Sequence, residues 1–332
     1  MTQWERLDDA SWTGGVRVTE LTPMSGSDVW SDWLLHLRHS DDPELGRIVR
    51  ADVERFADRV LDAAGIAPGM TLADIGTGDG AVAFRAIERV GHTLRVLLTD
   101  ISPALLRHVE ARAVERGVRD QCRFILCPAD QLAAIPDASV DAVTTRAVLA
   151  YVADKPAALR EFLRILKPGG RLSIAEPILQ DDAFMAIALR IQLESGTADP
   201  SDRFLPLLHR WKAAQFPDTE ALIATSAIAS HGERDLLRLV QAAGFEEIHL
   251  ELHIDVVRSS VRSWEVFLGI SPHPLAPSLR AILAERFSPE ERELFEAVVR
   301  PSVESQHALM TDRMVYIRAE KGSEPRPLPS GA

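Results

Sequence analysis

Cysteine is nearly missing from this chain of 332 residues, with Cys122 and Cys127 the two present. They are too few for a disulfide framework, and their spacing is neither a CxxC redox motif nor half of a zinc knuckle. That predicts a reducing, cytoplasmic setting and no metal site. Basic charge is in deficit, 37 Lys and Arg against 49 Asp and Glu, for a net of −12. The average field therefore repels phosphate backbones and anionic lipid, and neither nucleic acid nor a membrane is expected as a partner. No apolar run approaches the roughly 18 residues of a membrane span, and Met1 to Ala10 carry Glu5, Asp8 and Asp9 where a signal peptide would be apolar. Aromatics are sparse at 6%, but hydrophobic residues at 46% and charged residues at 26% are those of an ordinary globular chain. Collagenous and disordered classes are excluded. At roughly 150 residues per domain, the length suggests two units or one decorated α/β domain.

Punctuation divides the chain. Residues 1–69 read as a helical lead-in, with Trp30 and Trp33 in a short helix and Val49, Val53, Phe56 and Val60 at helical spacing before Gly65. Residues 70–177 alternate short Val-, Ile- and Leu-rich runs with helices. The runs are Thr71 to Ile75, Leu94 to Thr99, Arg123 to Cys127, Val140 to Thr145 and Arg171 to Ala175. Such runs suit strands buried on both faces of a parallel sheet, and one-handed crossovers make it a doubly wound, Rossmann-like α/β fold. Residues 178–232 show no strand and read as a helical cap. Residues 233–320 return to the core with strands at Ile248 to Val257 and Met310 to Ala319, interrupted by a second helical insertion over 260–305, and 321–332 read as a disordered tail.

The most informative segment is Ala73-Asp74-Ile75-Gly76-Thr77-Gly78-Asp79-Gly80-Ala81. Glycines at the end of a first strand remove the Cβ atoms that would hold a ligand off the backbone, and they free amides at the next helix N-terminus. A merely tight turn is the plain alternative. Gly76, Gly78 and Ala81 also satisfy the G-x-G-x-x-G/A dinucleotide fingerprint, with Asp100 about 20 residues on to bind a ribose. The turn alone leaves an NAD(P)-dependent oxidoreductase open.

Further segments carry a resemblance to the class I S-adenosylmethionine-dependent methyltransferases. They are the glycine turn, Leu98-Thr99-Asp100-Ile101-Ser102, Pro128-Ala129-Asp130-Gln131-Leu132, Val140 to Leu149 with Tyr151 to Asp154, and Leu163 to Leu172 around Lys167-Pro168-Gly169-Gly170. The resemblance implies a seven-stranded sheet, mostly parallel with an antiparallel last strand, and S-adenosyl-L-methionine as cofactor. It also implies roles. Asp74, Gly76, Thr77, Gly78 and Gly80 would cradle the methionine side, Asp100 would take the ribose hydroxyls, and Ile101 would lie on the adenine. Ala129, Asp130 and Gln131 would form the adenine edge, with Asp130 accepting from its amino group. Coverage runs from about residue 45 to 320. Within the family, Arg146 to Tyr151 and Ala175-Glu176-Pro177 look most like quinone-biosynthesis C-methyltransferases and arsenite methyltransferases. Arsenite capture needs several thiolates, which two cysteines do not supply.

Methyl transfer from a sulfonium is an in-line displacement, so aligning donor and acceptor and excluding water are the protein's main tasks. Glu176, Tyr151 and Arg146, at the ends of the fourth and fifth strands, and His209 in the cap are the candidate catalytic groups. The plain readings of Glu176 and His209 are a capping or salt-bridging carboxylate and a hydrogen-bonded surface imidazole, while Arg146 would either join the cofactor site by pairing with its acidic residue or orient an anionic substrate. Trp30, Trp33, Phe184, Met185, Trp211 and Phe216 would line an apolar lid or serve as ordinary helix packing. The expected enzyme is a methyltransferase, monomer or homodimer, acting on a small apolar or aromatic acceptor at oxygen, carbon or nitrogen. A non-catalytic S-adenosylmethionine-binding protein is the other alternative.

Overall fold

The computed structural model describes residues 16–17, 27–196, 198–305 and 307–323. The Met1 to Ala10 segment and the tail beyond Ser323 lie outside the described residues. Seven strands form one sheet: β1 (Thr71–Ile75), β2 (Arg95–Asp100), β3 (Cys122–Leu126), β4 (Val140–Arg146), β5 (Leu166–Pro177), β6 (Glu246–Arg258) and β7 (Leu309–Glu320). Their spatial order is β3-β2-β1-β4-β5-β7-β6, and the two-residue strand Val16–Arg17 adds antiparallel to the edge at β3. Six strands run parallel and β7 runs against both neighbours.

Alternate side chains of each strand point to opposite faces, so each strand feeds two cores. Leu72, Val96, Leu98 and Ala142 pack under α2 (Pro43–Ala64), α3 (Ala81–Val90) and α4 (Pro103–Glu115). Ala73, Leu97, Val143 and Leu172 pack under α5 (Lys155–Ile165) and α9 (Glu233–Ala242). Fully burying such a side chain is worth roughly 1.5–3 kcal/mol. Helix ends follow their local chemistry: Asp42 caps α2 through the Leu45 amide at 2.7 Å, and Gly65 ends it at φ +61°.

The N-terminal lead-in contributes a short helix α1 (Val29–Asp32) that widens into a π-helical turn, Trp33–Leu37. Ser40 and Asp41, at φ +51° and +53°, then turn the chain into α2. The cap holds α6 (Gln180–Glu194), α7 (Leu205–Gln215) and α8 (Glu220–Thr225). The second insertion holds α10 (Trp264–Gly269), α11 (Leu279–Arg286) and α12 (Pro289–Glu304), packed with Leu45, Leu207 and Phe295 into a satellite core. Two expectations need correction. β5 begins at Leu166 rather than Arg171, because Leu166 already pairs with Val140. Order continues through Lys321, whose amide donates to the Gly170 carbonyl at 2.9 Å while Gly169 donates to the Lys321 carbonyl at 2.8 Å.

Candidate active site

Strand order reverses between β1 and β4, and a doubly wound sheet opens its ligand crevice at the carboxyl ends beside such a switch. Gly76, Gly78 and Gly80 follow β1 with φ of +64°, +58° and +79°, a region open to glycine and costly for other residues. A Cβ at Gly76 would stand 2.3 Å from a Val148 methyl, and one at Gly78 would stand 3.0 Å from Leu34 Cδ2. The turn is thus closely packed backbone, with Val148 against Gly76 and Leu34 of the π-turn over Gly78.

Asp74 is buried beneath the turn. Its carboxylate accepts from the Thr77 hydroxyl at 2.7 Å and from the Thr144 hydroxyl at 2.9 Å. Burial pushes it up to about 6, against those hydrogen bonds and the charge of Arg146. The folded protein therefore binds this proton more tightly than the unfolded chain does. The associated stability is full below the ordinary value of 3.8 and is lost as pH rises through about 6, a difference of roughly 3 kcal/mol. Asp74→Asn keeps both hydroxyl partners and carries no charge, so it should lessen the fall in unfolding free energy between pH 4 and pH 8. Urea titrations of both proteins at the two pH values measure this, and an equal fall in each removes Asp74 as the source.

Asp100 ends β2. One oxygen accepts from the Gly78 amide at 2.8 Å and the other from the Ser102 amide at 2.9 Å. Burial raises its pKa, these amides lower it, and Asp28 raises it again. Asp28 comes from the start of α1, where it caps the Trp30 and Ser31 amides at 3.1 and 3.0 Å. Its other oxygen accepts from the Ser102 hydroxyl at 2.7 Å. Ile101, which follows Asp100, is 56% exposed. An apolar side chain left bare beside a carboxylate and a glycine cradle suits an adenosine. On the far side of β3, Ala129 is buried, Asp130 is half-buried and Gln131 is exposed.

Arg146, Tyr151 and Glu176 come together at the ends of β4 and β5. Glu176 is fully buried and accepts from the amides of Val148, Leu149 and Ala150 at 2.9, 3.0 and 3.0 Å. Both oxygens are committed, and burial raises the group. This corrects the expectation of a base: Glu176 anchors the turn that carries Tyr151. Burial, with the Glu176 charge second, also raises the Tyr151 phenol. Its ring meets Trp30 edge-on, centroids 5.3 Å apart, and joins a cluster with Phe216, Ile223 and Ile228 of the cap. His209 is bound within the cap instead, its Nε2 lying 3.0 Å from the Asp218 carboxylate. Of the proposed lid residues, Phe184 and Met185 are exposed at 49% and 42%.

Sequence reasoning missed Asp28, Leu34 and Arg38. Arg38 follows the π-turn, its Cζ lying 5.5 Å from the Trp33 ring centre. The Trp33 indole donates to the Ser271 carbonyl at 3.0 Å. A cleft of about 520 Å³ between the π-turn, α2, α3 and α4 has Leu34, Arg38 and Asp79 on its wall. The Asp28-x-x-Ser31 capping box was a readable signal for where α1 begins.

Known proteins extend this picture. Residues 66–211 match the methyltransferase domain family. The chain is 28% identical over 228 residues to the ubiquinone/menaquinone biosynthesis C-methyltransferase UbiE of Escherichia coli O1:K1, covering 66% of this chain and 84% of that one. The crystal structure of YcgJ from Bacillus subtilis superposes with a TM-score of 0.51 at 17% identity, over 81% of this chain and 99% of that one. The last of these bears on the fold alone, while the methyltransferase descriptions of the first two favour the methyl donor over a nicotinamide as the ligand of the glycine turn.

Proposed function

We propose, from the premise that this chain is a class I S-adenosylmethionine-dependent methyltransferase, that it methylates a small acceptor with an apolar or aromatic body. The bound cofactor supplies an electrophilic methyl group on a sulfonium. Gly76, Gly78 and Asp100 would hold it, with Ile101 and Asp130 at its adenine. The chain's own part is to bind, orient and exclude water, since displacement at a methyl carbon needs alignment above all. The observation that carries the acceptor class is Tyr151. It is pinned from below by the Glu176 nest and packed between Trp30 of α1 and the Phe216 cluster of the cap. That makes an apolar wall beside the cofactor turn, and the cap over 178–232 closes it.

The UbiE relative is named for C-methylation in quinone biosynthesis, so ring carbons of phenols and hydroquinones are the first atoms to test, with oxygen and nitrogen acceptors in the same panel. Transfer of labelled methyl from S-adenosylmethionine to phenols, hydroquinones, prenyl compounds and amines is the assay. Label on an apolar or aromatic acceptor supports the reading. Transfer confined to small hydrophilic amines, or none above the background of a Gly76→Val protein, would count against it.

A further inference from the structure

Among the described residues, β6 is the outermost strand at its end of the sheet and pairs with β7 alone. Its 13 residues include neither proline nor lysine, and its register shift lies at the start, between Glu246 and His249. Edge strands are usually short, bulged or broken by such residues, because a row of unpaired N–H and C=O groups invites another strand. From His249 onward the two faces differ in kind. On one, Leu250 packs against the core under α9, and the row runs on uncovered as Leu252, Ile254 and Val256, exposed at 39, 55 and 60%. On the other stand His249, Glu251, His253 and Asp255. Glu251 accepts from His249 and His253 at 3.2 and 2.9 Å, and from Arg59 of α2 at 3.2 Å.

We propose that β6 is the seam of a two-fold dimer, in which the β6 strands of two copies pair antiparallel about Leu252 and one sheet runs through both molecules. A two-fold axis normal to the sheet keeps each face continuous and sets residues equidistant from the axis against each other. About Leu252, the apolar face aligns Leu252 with itself and Leu250 with Ile254 of the second copy. The polar face aligns Glu251 with His253 and His249 with Asp255, so every carboxylate meets an imidazole able to donate to it. The segment His249-Leu250-Glu251-Leu252-His253-Ile254-Asp255 is its own complement when reversed. Other registers lose this. Centring on His253 sets Glu251 against Asp255, centring on Asp255 sets that carboxylate against itself, and centring on Ile254 leaves Glu251 opposite Val257. Self-complementarity of charge selects a second copy over an unrelated strand, and pairing withdraws Leu252 and Ile254 of both copies from water.

Sedimentation equilibrium of the full chain is the test. Between about 1 and about 100 μM, where interfaces of ordinary size associate, the wild type should reach twice the 36.6 kDa of one chain. Leu252→Lys sets two ammonium groups at the axis and removes two apolar side chains from the seam, so it should weaken the dimer at least about a hundredfold. His249→Glu opposes carboxylates at both ends of the pairing and should weaken it at least about tenfold. Adding Asp255→Lys should restore the wild-type constant, because a carboxylate at 249 then faces an ammonium at 255 of the second copy. These two positions lie roughly 20 Å apart along one strand, so the rescue acts only between copies. Both side chains are exposed, and unchanged far-UV circular dichroism checks that the variants fold. A wild type that stays monomeric leaves the edge to the chain's own terminal residues or to another protein, and overturns the proposal. So does a dimer indifferent to Leu252→Lys or to His249→Glu, or a loss in His249→Glu that Asp255→Lys fails to recover.

Discussion

Glu176→Ala is expected to lower unfolding free energy by about 4 kcal/mol, because three buried amides each lose their acceptor at roughly 1–3 kcal/mol apiece. Loss of a carboxylate that burial itself penalises offsets part of that sum. Glu176→Gln keeps one acceptor oxygen and turns an amide group toward a backbone N–H, so it should cost about half as much. Urea unfolding ranks the three proteins. The same variants separate a positioning role from a base. A base would remove turnover and leave stability nearly untouched, whereas an anchor lowers stability and loosens Tyr151 and its contact with Trp30 together. Wild-type stability in Glu176→Ala would refute the anchor.

Asp100→Ala is expected to weaken S-adenosylhomocysteine binding by about 2–3 kcal/mol, roughly 30- to 150-fold, the worth of charge-assisted hydrogen bonds from ligand hydroxyls. The glycine turn suffers as well. Gly78 and Ser102 lose the acceptor of their amides, and Ser102 is the residue through which Asp28 ties α1 to the cofactor turn. Stability should therefore drop by about 1–2 kcal/mol. Asp100→Asn, which retains one acceptor oxygen, should fall between. Calorimetry on folded protein gives the affinity, and an unchanged value in Asp100→Ala would remove Asp100 from the cofactor site.

The core strands were readable because a strand buried on both faces leaves a run such as Val96-Leu97-Leu98 between turn residues. The glycine turn was readable because its conformation demands its residues. β5 was misjudged at its start: Lys167-Pro168-Gly169-Gly170 has the composition of a turn, and pairing from Val140 and Lys321 draws it into the sheet. Glu176 was misread for a similar reason. A strand-end carboxylate is well placed for chemistry, and what it does is decided by three amides 26 to 28 residues upstream. Arg38 left no local trace, since its position depends on a π-turn and on two left-handed residues after it.

The Trp33 indole bonds to a carbonyl 238 residues further along the chain, and this bears on synthesis. A ribosome releases the chain from its N-terminus, and domains form as their parts emerge. The first strands and the glycine turn can assemble early, with α1 held to them through Asp28 and Ser102, but the Trp33 indole lacks its carbonyl until Ser271 has left the ribosome. Contacts of such separation carry the largest loop-closure entropy and form late. A nascent chain then holds the glycine turn before the Trp33 tie that completes its roof can form.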